Sequence, residues 1–372
     1  MSTTITEPTT PIENFELKNG KLPLTHLKIE NFRVFKHLEI PEISRVNLIT
    51  GKNNIGKTGL LEAIWLLAER GHPDSIRKII RSRGEYKFLN KDSALDNSYD
   101  LTKLSFLFSG YPDFYQTDSR IYIQGDKEGR YYIDISVSSK GDSVLRKSFR
   151  LDYLCQDDKI GYEINTSIEF LSNTNLYYSS KSFPVEMLKS SLYSDFDMAN
   201  MWDKISLTDY EDSVLESLKI FIKDIHRIDF IGNLNNSSER KPFIRISGNK
   251  EPLPLNSFGD GVLRFLGISI SMMNANNGIF LVDEIENGIH YSVLPDVWRM
   301  IFHTAKRLNI QVFATTHSSD CIQAFQKAAA EDDDPNSGML IRLERNKDGD
   351  IVPVMFDEEK LEVVARRHLE VR

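Results

Sequence analysis

Three short strings in this 372-residue chain combine residue types that act on phosphate. The first runs Gly51-Lys52-Asn53-Asn54-Ile55-Gly56-Lys57-Thr58. Gly51 and Gly56 let backbone amides converge on phosphate oxygens at a helix N-terminus, whose dipole favours negative charge. Lys57 then reaches the β- and γ-phosphates and the Thr58 hydroxyl ligates magnesium. Asn53, Asn54 and Gly59 complete the expected nucleotide-binding set. The second string is Asp283-Glu284, in which Asp283 would hold magnesium through water and Glu284 would orient and polarise the attacking water. The third is Thr315-Thr316-His317-Ser318, where His317 is placed as a hydrogen-bond donor that senses the γ-phosphate. The expected ligands are therefore a nucleoside triphosphate and Mg2+.

Such residues act only if the fold carries them to one place. Val46-Asn47-Leu48-Ile49 reads as a buried strand ahead of the glycine loop, and Leu60, Leu61, Ala63, Ile64, Leu67 and Ala68 recur with helical spacing after it. Strand, loop, helix is the context a phosphate loop requires. Ile279 to Val282 is a continuous apolar run suited to a central parallel strand, and it ends in the Asp283-Glu284 pair. A helical pattern from Val293 to Leu308 and a second apolar run from Gln311 to Ala314 follow. Strand, helix, strand implies a right-handed parallel crossover, which brings His317 to the sheet edge that holds Asp283. In Pro254-Leu255-Asn256-Ser257-Phe258-Gly259-Asp260-Gly261, Asn256 or Ser257 can cap a helix carrying Val262, Phe265, Leu266 and Ile270. That helix mouth is either a phosphate contact or the cap of a core helix.

In order, GKNNIGKT, NSFGDG, FLVDE and FATTH resemble the motif set of ABC-type ATPase heads: phosphate loop, signature, magnesium and catalytic pair, histidine switch. With LKIENFRVF and LVDEIENGIHYS they resemble more closely the RecF/SMC-like branch, which includes OLD-family nucleases and antiphage ATPases of the PARIS and Septu type. The resemblance covers roughly residues 24–85 and 225–372. It implies an α/β ABC-type P-loop head with a mixed, mainly parallel sheet, and an ATPase working as a homodimer or higher oligomer that sandwiches two ATP molecules. By this resemblance Ser257, Gly259 and Asp260 would contact the γ-phosphate bound by the partner copy, although Phe258 stands where transporters have glycine. His290 stands where OLD-like members carry a histidine facing the partner site; a helix-capping surface residue is the other reading. Arg33 and Phe35 match positions that line the nucleotide in this branch, and for Phe35 strand core is an equal reading.

Other features bound the remaining functions. Residues 1–22 read as a flexible tail, 23–85 with 225–372 as the head, and 86–224 as an inserted β-rich and helical lobe. Strands are expected at Leu104–Phe108, Arg120–Gln124, Tyr131–Val137, Ser148–Leu154 and Ile164–Phe170, with helices near 184–204 and 211–224. The absence of sustained heptads excludes long coiled-coil arms. After His317 come strands at Met339–Leu343 and Val352–Phe356 and a final helix, with no expected room for a TOPRIM-type nuclease. A formal net charge of -8 excludes a generally basic coat for nucleic acid, though not a local patch. The run Arg77, Lys78, Arg81, Arg83, Lys87 could contact DNA or an acidic partner or simply be solvated, and acidic 331–338 reads as an exposed loop, with a metal or partner role as the other reading. Two distant cysteines, no signal-peptide core and no apolar run of about 18 residues point to a cytoplasmic protein without a membrane contact. The leading expectation is an antiphage ATPase that controls a separate effector such as a TOPRIM- or HNH-like nuclease. The alternatives are a RecF-like DNA-repair clamp and a scaffold with structural ATP.

Overall fold

A computed structural model of the chain describes residues 21–85, 105–112, 119–139, 147–155, 158–164, 183–190, 195–233, 236–334 and 337–356. Residues 1–20 of the expected tail, the final helix and Lys87 therefore lie outside the described residues. The apolar runs that bracket the chemical strings form adjacent strands of one sheet. Its order is β15 (Ile351–Phe356), β14 (Gly338–Arg345), β3 (Val46–Gly51), β13 (Gln311–Thr315), β12 (Ile279–Val282), β8 (Val185–Leu188). β8, β12, β13, β3 and β14 are parallel, and β15 returns antiparallel to β14. Every residue of β3, β12 and β13 is buried, as expected of central parallel strands covered on both faces.

Alternate residues along these strands serve two cores, because successive strand side chains point to opposite faces. Phe280, Val282, Val312 and Ala314 pack with α5 (Asp260–Asn274), α6 (Leu294–Arg307) and α7 (Ser319–Ala330). Ile279, Leu281 and Phe313 pack with α1 (Lys57–Ala68) and α2 (Pro73–Ser82). Beyond α1 lies an antiparallel sheet in the order β2 (Phe35–Ile40), β1 (Leu27–Phe32), β4 (Ser119–Gln124), β5 (Tyr131–Ser139), β6 (Lys147–Cys155), β7 (Asp158–Ile164). A small sheet of β9 (Ile225–Asn233), β10 (Asn236–Ile246) and β11 (Leu253–Pro254) sits beside α3 (Asp195–Asp203). The remaining helix is α4 (Asp209–Leu218), which packs on α5.

The described parts of the expected inserted lobe, residues 86–224, join two sheets. Strands β4 to β7 extend the β1–β2 sheet, and β8 forms an edge of the main sheet. Residues 184–204 thus begin as a strand and only then become helix α3. Four residues are too few for a periodicity to separate strand from helix, and pairing with β12 decides it. Within the expected strand Leu104–Phe108, residues 105–107 form a turn of 3-10 helix and Phe108 bridges to Phe32. Of the fifth expected strand, Ile164–Phe170, only Ile164 lies among the described residues, where it ends the strand Asp158–Ile164.

Candidate active site

The phosphate loop is held open by close contacts that leave no space for side chains. Gly56, at φ 106°, caps α1 in the left-handed region, and a Cβ there would fall 2.8 Å from the Phe35 ring. Phe35 is fully buried under the loop, which makes it core. A Cβ on Gly51 would lie 2.6 Å from the carbonyl oxygen of Leu343 on β14. No side chain caps the N-terminus of α1, so its first amides stay available to an anion. Asn53 and Asn54 stand exposed on the loop, and Gly59 is buried against the Arg33 stem.

Lys57 is 6% exposed and donates to the carbonyls of Gly51 at 2.9 Å and Lys52 at 3.2 Å. Its Nζ also lies 3.4 Å from His317 Nδ1. Burial lowers the Lys57 pKa, while Asp283, Glu284 and Glu286 oppose that shift. Their field favours the ammonium form that a phosphate requires.

The strand ends supply the rest. Asp283 is 7% exposed and accepts hydrogen bonds from Thr58 Oγ1 at 3.0 Å and Thr315 Oγ1 at 2.6 Å. The Glu284 N–H donates to Thr315 Oγ1 at 2.8 Å. Glu284 adopts φ 48°, a left-handed conformation uncommon outside glycine, asparagine and aspartate. Asn287 donates to its Oε2 at 2.8 Å, and His317 Nε2 lies 3.9 Å from its Oε1. The His317 N–H in turn donates to Glu286 Oε1 at 2.9 Å. Lys57, Thr58, Asp283, Glu284 and His317, strings separated by more than half the chain, are thus one cluster at the carboxyl end of the sheet.

A hydroxyl and a carboxylate meeting at 3.0 Å are hard oxygen donors suited to magnesium. Among the described residues no group of three or more His, Cys, Asp or Glu forms a metal cage. One carboxylate plus phosphate oxygens is the usual donor set for magnesium at such sites.

Ser257, Gly259 and Asp260 lie exposed at the mouth of α5, and no side chain caps that helix either. The mouth packs on the loop after Glu284: a Cβ on Gly261 would fall 2.3 Å from the Gly288 carbonyl oxygen. His290, exposed two residues further on, has its Nδ1 2.8 Å from Ser292 Oγ and its ring beside Tyr291. Among the described residues, no hydrogen bond links it to the cluster around Lys57.

Arg33, expected to line the nucleotide, sits in an ion-pair cluster. It occupies the β1–β2 turn at φ 54°, and its guanidinium donates to Glu62 Oε2 at 3.1 Å, Glu85 Oε1 at 2.7 Å and the Phe106 carbonyl at 2.8 Å. Two carboxylates draw it to the α1–α2 flank. Arg83 joins the same group through Glu62 Oε1 at 2.7 Å, so it is not part of a free basic stripe. Burial is the largest single effect on Arg83 and opposes its charge, but the bond to Glu62 together with the charges of Glu62, Glu85 and Asp283 outweighs it and raises the pKa.

Sequence reading missed Glu286, Asn287, Thr315 and Arg264. Arg264 is 1% exposed and donates to the carbonyls of Asp283 at 2.6 Å, Glu284 at 3.2 Å and Lys189. A charged residue amid Val262, Leu263, Phe265 and Leu266 is the signal that could have flagged it.

Residues 46–320 match the family described as "AAA domain, putative AbiEii toxin, Type IV TA system". The chain belongs to this AAA-domain ATPase family. Over 364 residues it is 26% identical to the ATP/GTP phosphatase of Helicobacter pylori, covering 90% of this chain and 96% of that one. With the RecF DNA replication and repair protein of Agathobacter rectalis it shares 26% identity over 242 residues, 58% of this chain and 59% of the relative. This AAA-domain chain also adopts the fold of an SMC head solved with the C-winged helix domain of ScpA. The TM-score there is 0.50 at 12% identity, covering 91% of this chain and 99% of that structure. The α/β head is therefore ABC/SMC-like, and the family makes the protein an ATPase of the AAA/ABC type.

Proposed function

We propose that this ATPase hydrolyses magnesium-bound ATP at the Lys57–Asp283–Glu284–His317 cluster. Bound magnesium would be held by Thr58 and Asp283 and would neutralise charge on the phosphates. Gly51 to Gly59 wrap the phosphates, with Lys57 supplying a cation from a buried position. Glu284 accepts a proton from the attacking water. His317, tethered through Glu286, donates to the γ-phosphate oxygen. The observation that carries this reading is the contact of Thr58 with Asp283 beside Lys57 and His317. ATP turnover that vanishes in Lys57→Ala and on chelation of magnesium tests it; a Lys57→Ala protein that hydrolyses at the wild-type rate would sink it.

At the level of the assembly, two copies close on two ATP molecules, with Ser257, Gly259, Asp260 and His290 of one copy facing the nucleotide of the other. The working setting is a cytoplasmic antiphage system in which ATP state controls a separate effector, a TOPRIM- or HNH-like nuclease. The toxin–antitoxin wording of the family description supports a two-component setting. Affinity purification of the chain expressed with its neighbouring genes should recover that second protein in an ATP-dependent complex. Recovery of the chain alone, with and without ATP, would rule the effector out. The RecF relatives support a second reading, a DNA-repair clamp. Plain duplex DNA that raises the rate of hydrolysis would favour it.

A further inference from the structure

Helix α5 carries two kinds of residue one turn apart. Asp260 opens the helix at its exposed mouth, and Arg264, four residues on, lies inside the protein. Residues four apart share one helix face. The guanidinium of Arg264 reaches across to the backbone carbonyls of Asp283 and Glu284, and to that of Lys189 at the end of β8. Its donors are fixed in a planar fork, so it holds these segments in one mutual arrangement where a flexible ammonium could not.

The peptide it grips is the one that sets the catalytic carboxylate. Glu284 has φ 48°, a backbone state that persists only where surroundings impose it. Arg264 holds its carbonyl, Thr315 its N–H and Asn287 its carboxylate. The mouth of α5 also lies directly on the loop beyond Glu284, through Gly261 and Gly288. A rigid helix moved at its first turn therefore carries Arg264, and with it the turn that bears Glu284.

We propose that Arg264 is a positioning residue for hydrolysis: it couples the phosphate-facing mouth of α5 to the Asp283–Glu284 turn of the same chain. An anion docking on the mouth, such as the γ-phosphate held by a second copy, would then adjust the protein's own Glu284. This rests on Glu284 as the residue that activates water.

The test compares Arg264→Lys, Arg264→Gln and Glu284→Gln with the wild type for ATP affinity, melting temperature, KM and kcat. Coupling predicts that Arg264→Lys keeps its melting temperature, and its ATP affinity and KM to within about twofold, while kcat falls at least about tenfold. Arg264→Gln, shorter and with fewer donors, should lower kcat at least as far. A wild-type kcat in Arg264→Lys overturns the proposal. So does loss of melting temperature and ATP binding in step with kcat in both variants, which is the mark of a merely structural arginine. Turnover surviving in Glu284→Gln would instead remove the catalytic reading beneath it.

Discussion

Glu62 stands one turn beyond Thr58 and receives two guanidiniums, Arg33 and Arg83, at 3.1 and 2.7 Å. Its side chain is 3% exposed and that of Arg33 7%, so these charges are screened little by water. Removing one partner of a buried pair leaves the other uncompensated, at a cost of about 3–5 kcal/mol. Glu62→Gln should therefore destabilise the protein by about 3 kcal/mol in urea unfolding; a midpoint equal to wild type would show that water reaches the group. Cys321 makes a second residue-scale case. Burial pushes its thiol up to about 12, so it stays protonated and unreactive near neutral pH. In a Cys155→Ser background a thiol reagent should label it only on unfolding, and fast labelling of the native protein would contradict this. The motif residues from Gly51 to Thr58 were readable because each string is contiguous and its chemistry depends on local spacing. The place of Arg33 was not readable, since it is set by Glu62 and Glu85, neither of them adjacent in sequence.

Strand β8 shows where elements escape a sequence reading. Its four residues have no period of their own, and partner β12 lies far along the chain. The strands carrying the site were legible because each is a full apolar run covered on both faces. β8 nevertheless approaches β12 closely: a Cβ on Gly278 would lie 1.9 Å from the Pro184 carbonyl oxygen. Backbone cannot yield as a side chain tip does, so Gly278→Ala should cost about 1–3 kcal/mol, read as a lower urea midpoint. Unchanged stability would mean that the β8–β12 junction sits otherwise. On the same strand, burial raises the pKa of Glu186, and Lys204 at 3.9 Å only partly offsets it. A raised carboxyl pKa means that the folded state binds the proton more tightly than the unfolded chain. The ionised group thus weakens the fold above its folded pKa, and the deficit fades as pH falls toward the ordinary carboxylate value. Glu186→Gln should accordingly raise the melting temperature at neutral pH, by a margin that shrinks on acidification. A gain independent of pH would point to packing instead of charge.

At the scale of the molecule, one chain presents half of a site twice over. Its phosphate loop, Asp283 and Glu284 gather at one place, whereas Ser257, Gly259 and Asp260 sit exposed at the mouth of α5. Among the described residues no hydrogen bond joins that mouth to the phosphate loop. An uncapped helix N-terminus open to solvent is a ready anion site, and the γ-phosphate of a second copy would supply the anion. The ordered motifs let the sequence suggest this pairing, but not what a closed dimer would act on: a partner is recognised by surface shape, which no short string encodes. On the proposed mechanism Glu284 is the lever for observing closure, because removing its charge would stop water activation and leave the phosphate contacts in place. With ATP and magnesium, Glu284→Gln should run as a dimer of about twice the monomer mass by light scattering, and return to monomer with ADP or on chelation. Ligand that binds only the closed form shifts the equilibrium in proportion to RT ln(1 + [L]/Kd), so the dimer fraction should rise with ATP concentration at fixed protein. A Glu284→Gln protein that binds ATP and stays monomeric at every concentration would leave Ser257, Gly259 and Asp260 without a phosphate to face, and the sandwich would have to be abandoned.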